Sequence, residues 1–158
     1  MTPEGDVIIR VIIGTALGFA LGFERGLRGS PAGDRTFSLV GASTTAITAV
    51  AYQHSPQTVA GVVTGIGFIG GGVVFHGQGT LVRGITTAAT VFATAAIGVL
   101  VGSGEPWAGV VLAGLFLLVL EVRYIPFLRH IDASHYRGRF ETDTDSARRD
   151  EPQPEPEA

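Results

Sequence analysis

The sequence predicts an all-α integral membrane protein: a bundle of five transmembrane helices with the N terminus outside and the C terminus cytoplasmic. Three observations carry that prediction. The 158 residues are 46% hydrophobic and only 16% charged, with a mean hydropathy of +0.37, against about 25% charged in an ordinary soluble domain. The apolar residues are concentrated in five segments, about 7–23, 37–53, 58–75, 85–102 and 107–120, each near the roughly 17–25 residues that a spanning helix needs. Glycine is dense inside apolar sequence, most of all where residues 65–90 read GIGFIGGGVVFHGQGTLVRGITTAAT. In a soluble core each such glycine weakens a helix by about 1 kcal/mol relative to alanine and leaves a packing gap. In a bilayer the backbone is forced to bond inward, and small residues let helices approach without a hydrophobic drive between them. Five buried helices of a soluble domain would instead need polar faces that these segments lack.

The first segment follows Glu4 and Asp6 rather than a basic region and lacks a small-residue cleavage site, so it is expected to stay in the mature protein. Gly14, Gly18 and Gly22 recur along it every four residues, and Gly26 continues the series. Arg10 sits near its outer end, where its long stem is expected to carry the guanidinium to the interface. The gap FERGLRGSPAGDRT (23–36) gathers Glu24, Arg25, Arg28, Asp34 and Arg35 where the helix leaves the bilayer. A partly desolvated Glu24 needs a partner, which Arg25, Arg28 or Arg35 could each supply. A plain positive-inside anchor fits the same residues equally well.

Pro31 and Pro56 are among the markers that bound the next segment, 37–53. In the third, Gly67 and Gly71 share a face, while Gly65, Gly70 and Gly72 add further small positions. The fourth repeats the spacing with Gly98 and Gly102, on a helix that also carries Thr86, Thr90 and Thr94 in a row. These glycine faces suit close crossings within the bundle or between protomers, and simple structural packing accounts for most of them. The fifth, starting WAGVVLAGLFLLVL, is short and is expected to run on past Glu121.

Charge fixes the predicted orientation. All eleven basic residues are arginines. Arg25, Arg28 and Arg35 fall in the first gap, Arg83 in the third, and Arg123, Arg129, Arg137, Arg139, Arg148 and Arg149 after the fifth segment, with none in the second or fourth gap. Positively charged connections stay on the cytoplasmic side. Three regions follow: a transmembrane domain over 1–122, an interfacial amphipathic segment over 123–140 (RYIPFLRHIDASHYRGRF), and an acidic tail over 141–158. That tail holds seven of the fourteen acids and three prolines, a composition expected to be disordered because it cannot bury enough surface to offset ordering entropy.

Much enzymology is excluded. Without cysteine there are no disulfides, thiolate metal sites or cysteine nucleophiles, and without lysine there is no phosphate-binding GxxxxGKS loop or Schiff base. His54, His76, His130 and His135 are scattered over different gaps and do not form a metal-ligand pattern. No catalytic residue, metal site, cofactor or nucleic-acid partner is expected. The expected surroundings are the lipid bilayer.

Three ordered strings, GFERGLRGSPAGDRT (22–36), GIGFIGGGVVF (65–75) and VRGITTAATVFATAAIGVLVGSG (82–104), resemble the MgtC/SapB family of bacterial inner-membrane proteins, over about residues 7–122. The resemblance places the family's charged motif on Glu24, Arg25, Arg28, Gly33, Arg35 and Thr36. Its glycine motif falls on Gly65, Gly67, Phe68, Gly70 and Gly72, and its third motif on Arg83, Gly84, Thr86, Thr87, Ala88 and Ala89. Where many relatives have an Asp-Pro-x-Arg turn and a Gln, this chain has HSPQ (54–57) and Gly61. Larger members continue into a folded cytoplasmic regulatory domain, and here the acidic tail follows instead. What the resemblance implies is a multi-pass plasma-membrane protein without established catalysis, tied to magnesium limitation and, in some pathogens, to virulence through survival in macrophages. For the best-known relatives it implies inhibitory contact with the proton-translocating ATP synthase.

Two functional readings follow. One is a regulatory membrane protein that acts through helix contacts with itself, as a homo-oligomer, or with another membrane complex. It draws on the glycine faces and on an expected lack of buried charge. The other is a transporter of magnesium or another small solute, for which Glu24 and Glu121 are the carboxylates nearest membrane depth.

Overall fold

The computed structural model describes residues 3–75 and 84–121. They form five helices and no strand: α1 (Pro3–Leu27), α2 (Asp34–Ala51), α3 (Gln57–Phe75), α4 (Ile85–Ser103) and α5 (Pro106–Glu121). Each predicted segment coincides with one helix to within a few residues. Residues 1–118 make one compact unit and 119–158 a second, whose described part is the end of α5. The expected interfacial segment, the acidic tail and Arg83 lie outside the described residues.

Local chemistry sets the helix ends. In α1, Pro3 opens the first turn, Glu4 and Asp6 lie near its positive pole and Arg25 near its negative one. It stops at Gly29, whose φ of 68° is open to glycine at little cost, with Gly29 N–H donating to Gly26 O (3.0 Å) and Ser30 N–H to Arg25 O (3.1 Å). α4 ends the same way. Gly104 has φ 105°, its N–H and that of Glu105 donate to Val101 O (3.2 Å) and Leu100 O (2.9 Å), and Pro106 blocks continuation.

α2 is the centre of the bundle, antiparallel to α1 and parallel to α4. The glycines of α1 make this possible. A Cβ on Gly18 would collide with Phe37 O, one on Gly41 with Gly14 O, and one on Gly22 would lie 2.7 Å from Asp34 Cα. Backbones therefore meet directly, with Cα–H groups against carbonyl oxygens. On the other side of α2, a Cβ on Gly98 would collide with Thr44 Oγ1, and one on Gly102 would lie 2.6 Å from Thr48 Cβ. Phe37, Leu21, Ile97, Val91 and Val101 fill the rest of this core.

Threonine accompanies glycine at these contacts: Thr44, Thr45, Thr48, Thr87, Thr90 and Thr94 are all buried. Thr44, Thr90 and Thr94 donate to the carbonyls of Val40, Thr86 and Thr90, which satisfies the hydroxyl within its own helix. The hydroxyls of Thr45 and Thr48 have no hydrogen-bond partner among the described residues.

Among the described residues, three helices are long and apolar enough to cross a membrane, over Glu4–Leu27, Gln57–Val74 and Ile85–Ser103. The sequence reading assigned five spans, and two elements differ for separate reasons. α5 has 16 residues, and α2 carries Thr36, Ser38, Ser43, Thr44, Thr45 and Thr48 in an 18-residue helix.

Candidate functional site

Two features meet the sequence motifs: an ion cluster where α1 passes to α2, and an uncovered glycine surface on α3. Glu24 and Arg25 lie inside α1 rather than in the loop assigned to them, and Arg28 follows directly after it. Glu24 and Arg25 belong to its last two turns and are 6% and 9% exposed. This overturns the expected lack of buried charge. The cause is local: α1 stays helical to Leu27, which turns Glu24 inward with Leu21 and leaves Phe23 and Leu27 facing out.

Glu24 carries the network. Arg25 Nε donates to its Oε2 (2.5 Å), Arg25 Nη2 to its Oε1 (2.8 Å), and Arg28 Nε, one helical turn on, to the same Oε1 (2.7 Å). Charge-assisted bonds of this kind are what a nearly buried carboxylate requires. Of the three candidate partners, Arg25 and Arg28 are used, whereas Arg35 is exposed on the first turn of α2.

The third motif joins the first here. Ser30 Oγ and Thr87 Oγ1 are 2.9 Å apart, linking the α1–α2 turn to the start of α4. Beside them Gly84 caps α4 with φ 84°, and a Cβ there would lie 3.0 Å from Val73 O of α3. Gly33 is the N-cap of α2, and Thr36 and Thr86 are exposed. At the opposite end, Arg10 pairs with Asp6 and donates from Nη1 to Gly102 O (2.9 Å). It therefore caps α4 rather than simply reaching outward, a role that its position in the sequence did not signal.

The glycine motif is placed differently. Among the described residues, a Cβ on Gly61, Gly65, Gly67 or Gly72 would meet nothing within 4 Å, and Gly70 makes only an ordinary contact with Ala88 at 3.8 Å. Phe68 is 87% exposed in their midst. The expected close crossing through Gly67 is thus not made among the described residues. The physical reason is that α3 buries Val62 and Ile66 and meets α4 near Gly70 and Val73, a side that Gly67 does not share.

No group of His, Cys, Asp or Glu suited to a metal ion occurs among the described residues. With that geometry in hand, relatedness is decisive. The MgtC family profile matches residues 11–125. The chain belongs to the MgtC family. It is 38% identical over 135 residues to YhiD of Escherichia coli (strain K12), named as a proposed magnesium transporter, covering 77% of this chain and 61% of that protein. It is 47% identical over 78 residues to protein MgtC of Brucella abortus (strain 2308), covering 46% of this chain and 32% of that protein. The MgtC-family chain thus spans about three-fifths of YhiD and a third of the Brucella protein. No solved structure matches it.

Proposed function

We propose that this MgtC-family chain is a multi-pass protein of the bacterial inner membrane, N terminus outside and C terminus cytoplasmic, and that it regulates adaptation to magnesium limitation or stress by helix contacts. The surface that makes those contacts is α3. One observation carries the reading: glycine is used at backbone-to-backbone contacts on α1, α2 and α4, whereas Gly65 and Gly67 flank an exposed Phe68 with open space where their Cβ atoms would lie. Small residues in membrane helices serve close approach, and the partner is a second copy or another membrane complex.

Replacing Gly67 with leucine tests it. The open space beside it predicts that the chain still folds, while crosslinked or copurified complexes from native membranes disappear. Unchanged association would remove the proposal.

The second reading, transport of magnesium or another small solute, is favoured by the name of YhiD. Against it, both oxygens of Glu24 are occupied by guanidinium donors, which leaves little for a cation that binds through one or two carboxylates and its own waters. Reconstitution into liposomes containing a magnesium-sensitive dye separates the two: flux that Glu24→Gln abolishes supports transport, and no flux eliminates it.

A further inference from the structure

The contacts around α2 are unequal. Toward α1 and α4 it is sealed by glycine. Toward α3 it faces a groove of about 400 Å³, with Ser43, Thr44 and Ile47 on one wall and Gly61, Gly65 and Ile69 on the other. The small residues that would permit a close crossing are present on both walls, yet a Cβ on Gly61 or Gly65 would meet nothing within 4 Å. Thr44 already makes such a contact with its other neighbour, where Gly98 admits Oγ1.

α3 is also loosely held on its α2 side. It buries only Val62 and Ile66, and touches α4 through Gly70 with Ala88 and Val73 with Gly84. Few buried apolar contacts place an element at the low end of local stability, and each glycine in α3 lowers helix propensity by about 1 kcal/mol relative to alanine. α1, α2 and α4 are held by overlapping backbones and by side-chain bonds at both ends, Arg10 to Gly102 and Ser30 to Thr87.

We infer that α3 is a closing element: the α2–α3 groove is the open form of a two-state helix pair, and α3 rolls toward α2 to bring Gly61 and Gly65 against Ser43 and Thr44 while α1, α2 and α4 stay fixed. Its connections set the range of the motion. The turn at 52–56 ties one end of α3 to α2, and the contacts with α4 hold the other. Closure therefore removes the groove without unfolding either helix. This device concerns α2 and α3 alone and does not depend on which partner covers Phe68.

The chain contains no cysteine, so spin labels go only where they are introduced. In the full chain in lipid nanodiscs, labels at Leu39→Cys and Val63→Cys report α2 to α3, and labels at Phe19→Cys and Phe92→Cys report α1 to α4. The expected result is two distances for the first pair and one narrow distance for the second. Adding Gly65→Leu, which fits the open form but blocks the closed one, abolishes the shorter distance. Should that variant disturb the Phe19–Phe92 distance, Gly61→Leu takes its place. A single narrow Leu39–Val63 distance, or two distances that neither leucine alters, overturns the inference.

Discussion

Ser30 and Thr87 are hydrogen-bonded across 57 residues of sequence, with 2.9 Å between their hydroxyl oxygens. The bond joins the turn that follows the ion cluster to the first turn of α4. Two motif strings that are far apart in the chain thus meet at one place.

That pair predicts a measurable coupling. Ser30→Ala and Thr87→Val should each lower stability by about 1 kcal/mol, and the double variant should lose less than the sum, leaving an interaction of about 0.5–1.5 kcal/mol. Reversible unfolding of the purified protein in mixed micelles gives all four values; strict additivity would mean that the bond contributes nothing.

Removing the carboxylate should be far worse. Glu24→Gln leaves Arg25, itself 9% exposed, without a countercharge, and breaking a buried pair from one side costs about 3–5 kcal/mol. Replacing both, Glu24→Leu with Arg25→Met, should recover part of that loss because the buried Arg25 charge is removed together with its partner. Thermal denaturation in detergent ranks the three proteins, and the double variant must lie above Glu24→Gln.

Glycines of similar spacing should respond in opposite directions. Gly98→Ala forces a methyl into Thr44 Oγ1 and should destabilise by about 1–3 kcal/mol, the range for overpacking. Gly65→Ala, with open space around it, should be neutral or raise stability by up to about 1 kcal/mol through helix propensity. Melting temperatures of the two variants suffice, and equal losses would contradict the packing described.

Thr48→Val offers a test of the buried hydroxyls. Thr48 is 1% exposed and its Oγ1 has no partner among the described residues, so its removal should stabilise by about 1 kcal/mol or more. Thr94→Val, whose hydroxyl donates to Thr90 O at 2.9 Å, should not. The same unfolding measurement distinguishes them.

The helices were legible because their signals are local. Apolar runs, with Pro31 and Pro56 among the gap markers, give boundaries that fall within a few residues of those observed. The need of Glu24 for an arginine was also legible, since a carboxylate near membrane depth has few alternatives. Which arginine was not: Arg25 and Arg28 come into range only because α1 continues past Glu24. Glycine spacing identified close-packing faces on α1 and α4 but could not tell which glycines are used, since Gly67 on α3 has open space around it. Arg10 was read as an outward-reaching charge, and its bond to Gly102 O depends on α4 returning beside α1, a tertiary fact without a trace in its neighbours.

The central position of α2 has a consequence for biogenesis. Its hydroxyl-bearing, weakly apolar sequence is not among the helices that meet the requirement for crossing a membrane alone. On the membrane reading, the insertion machinery must therefore admit α2 together with α1 as a preformed hairpin, whose glycines already shield one of its flanks, or hold it at the translocon until α4 emerges. Any ribosomal pause or substitution that separates those deliveries would strand α2 at the lipid boundary, so the order of synthesis is as much a part of this architecture as the final packing.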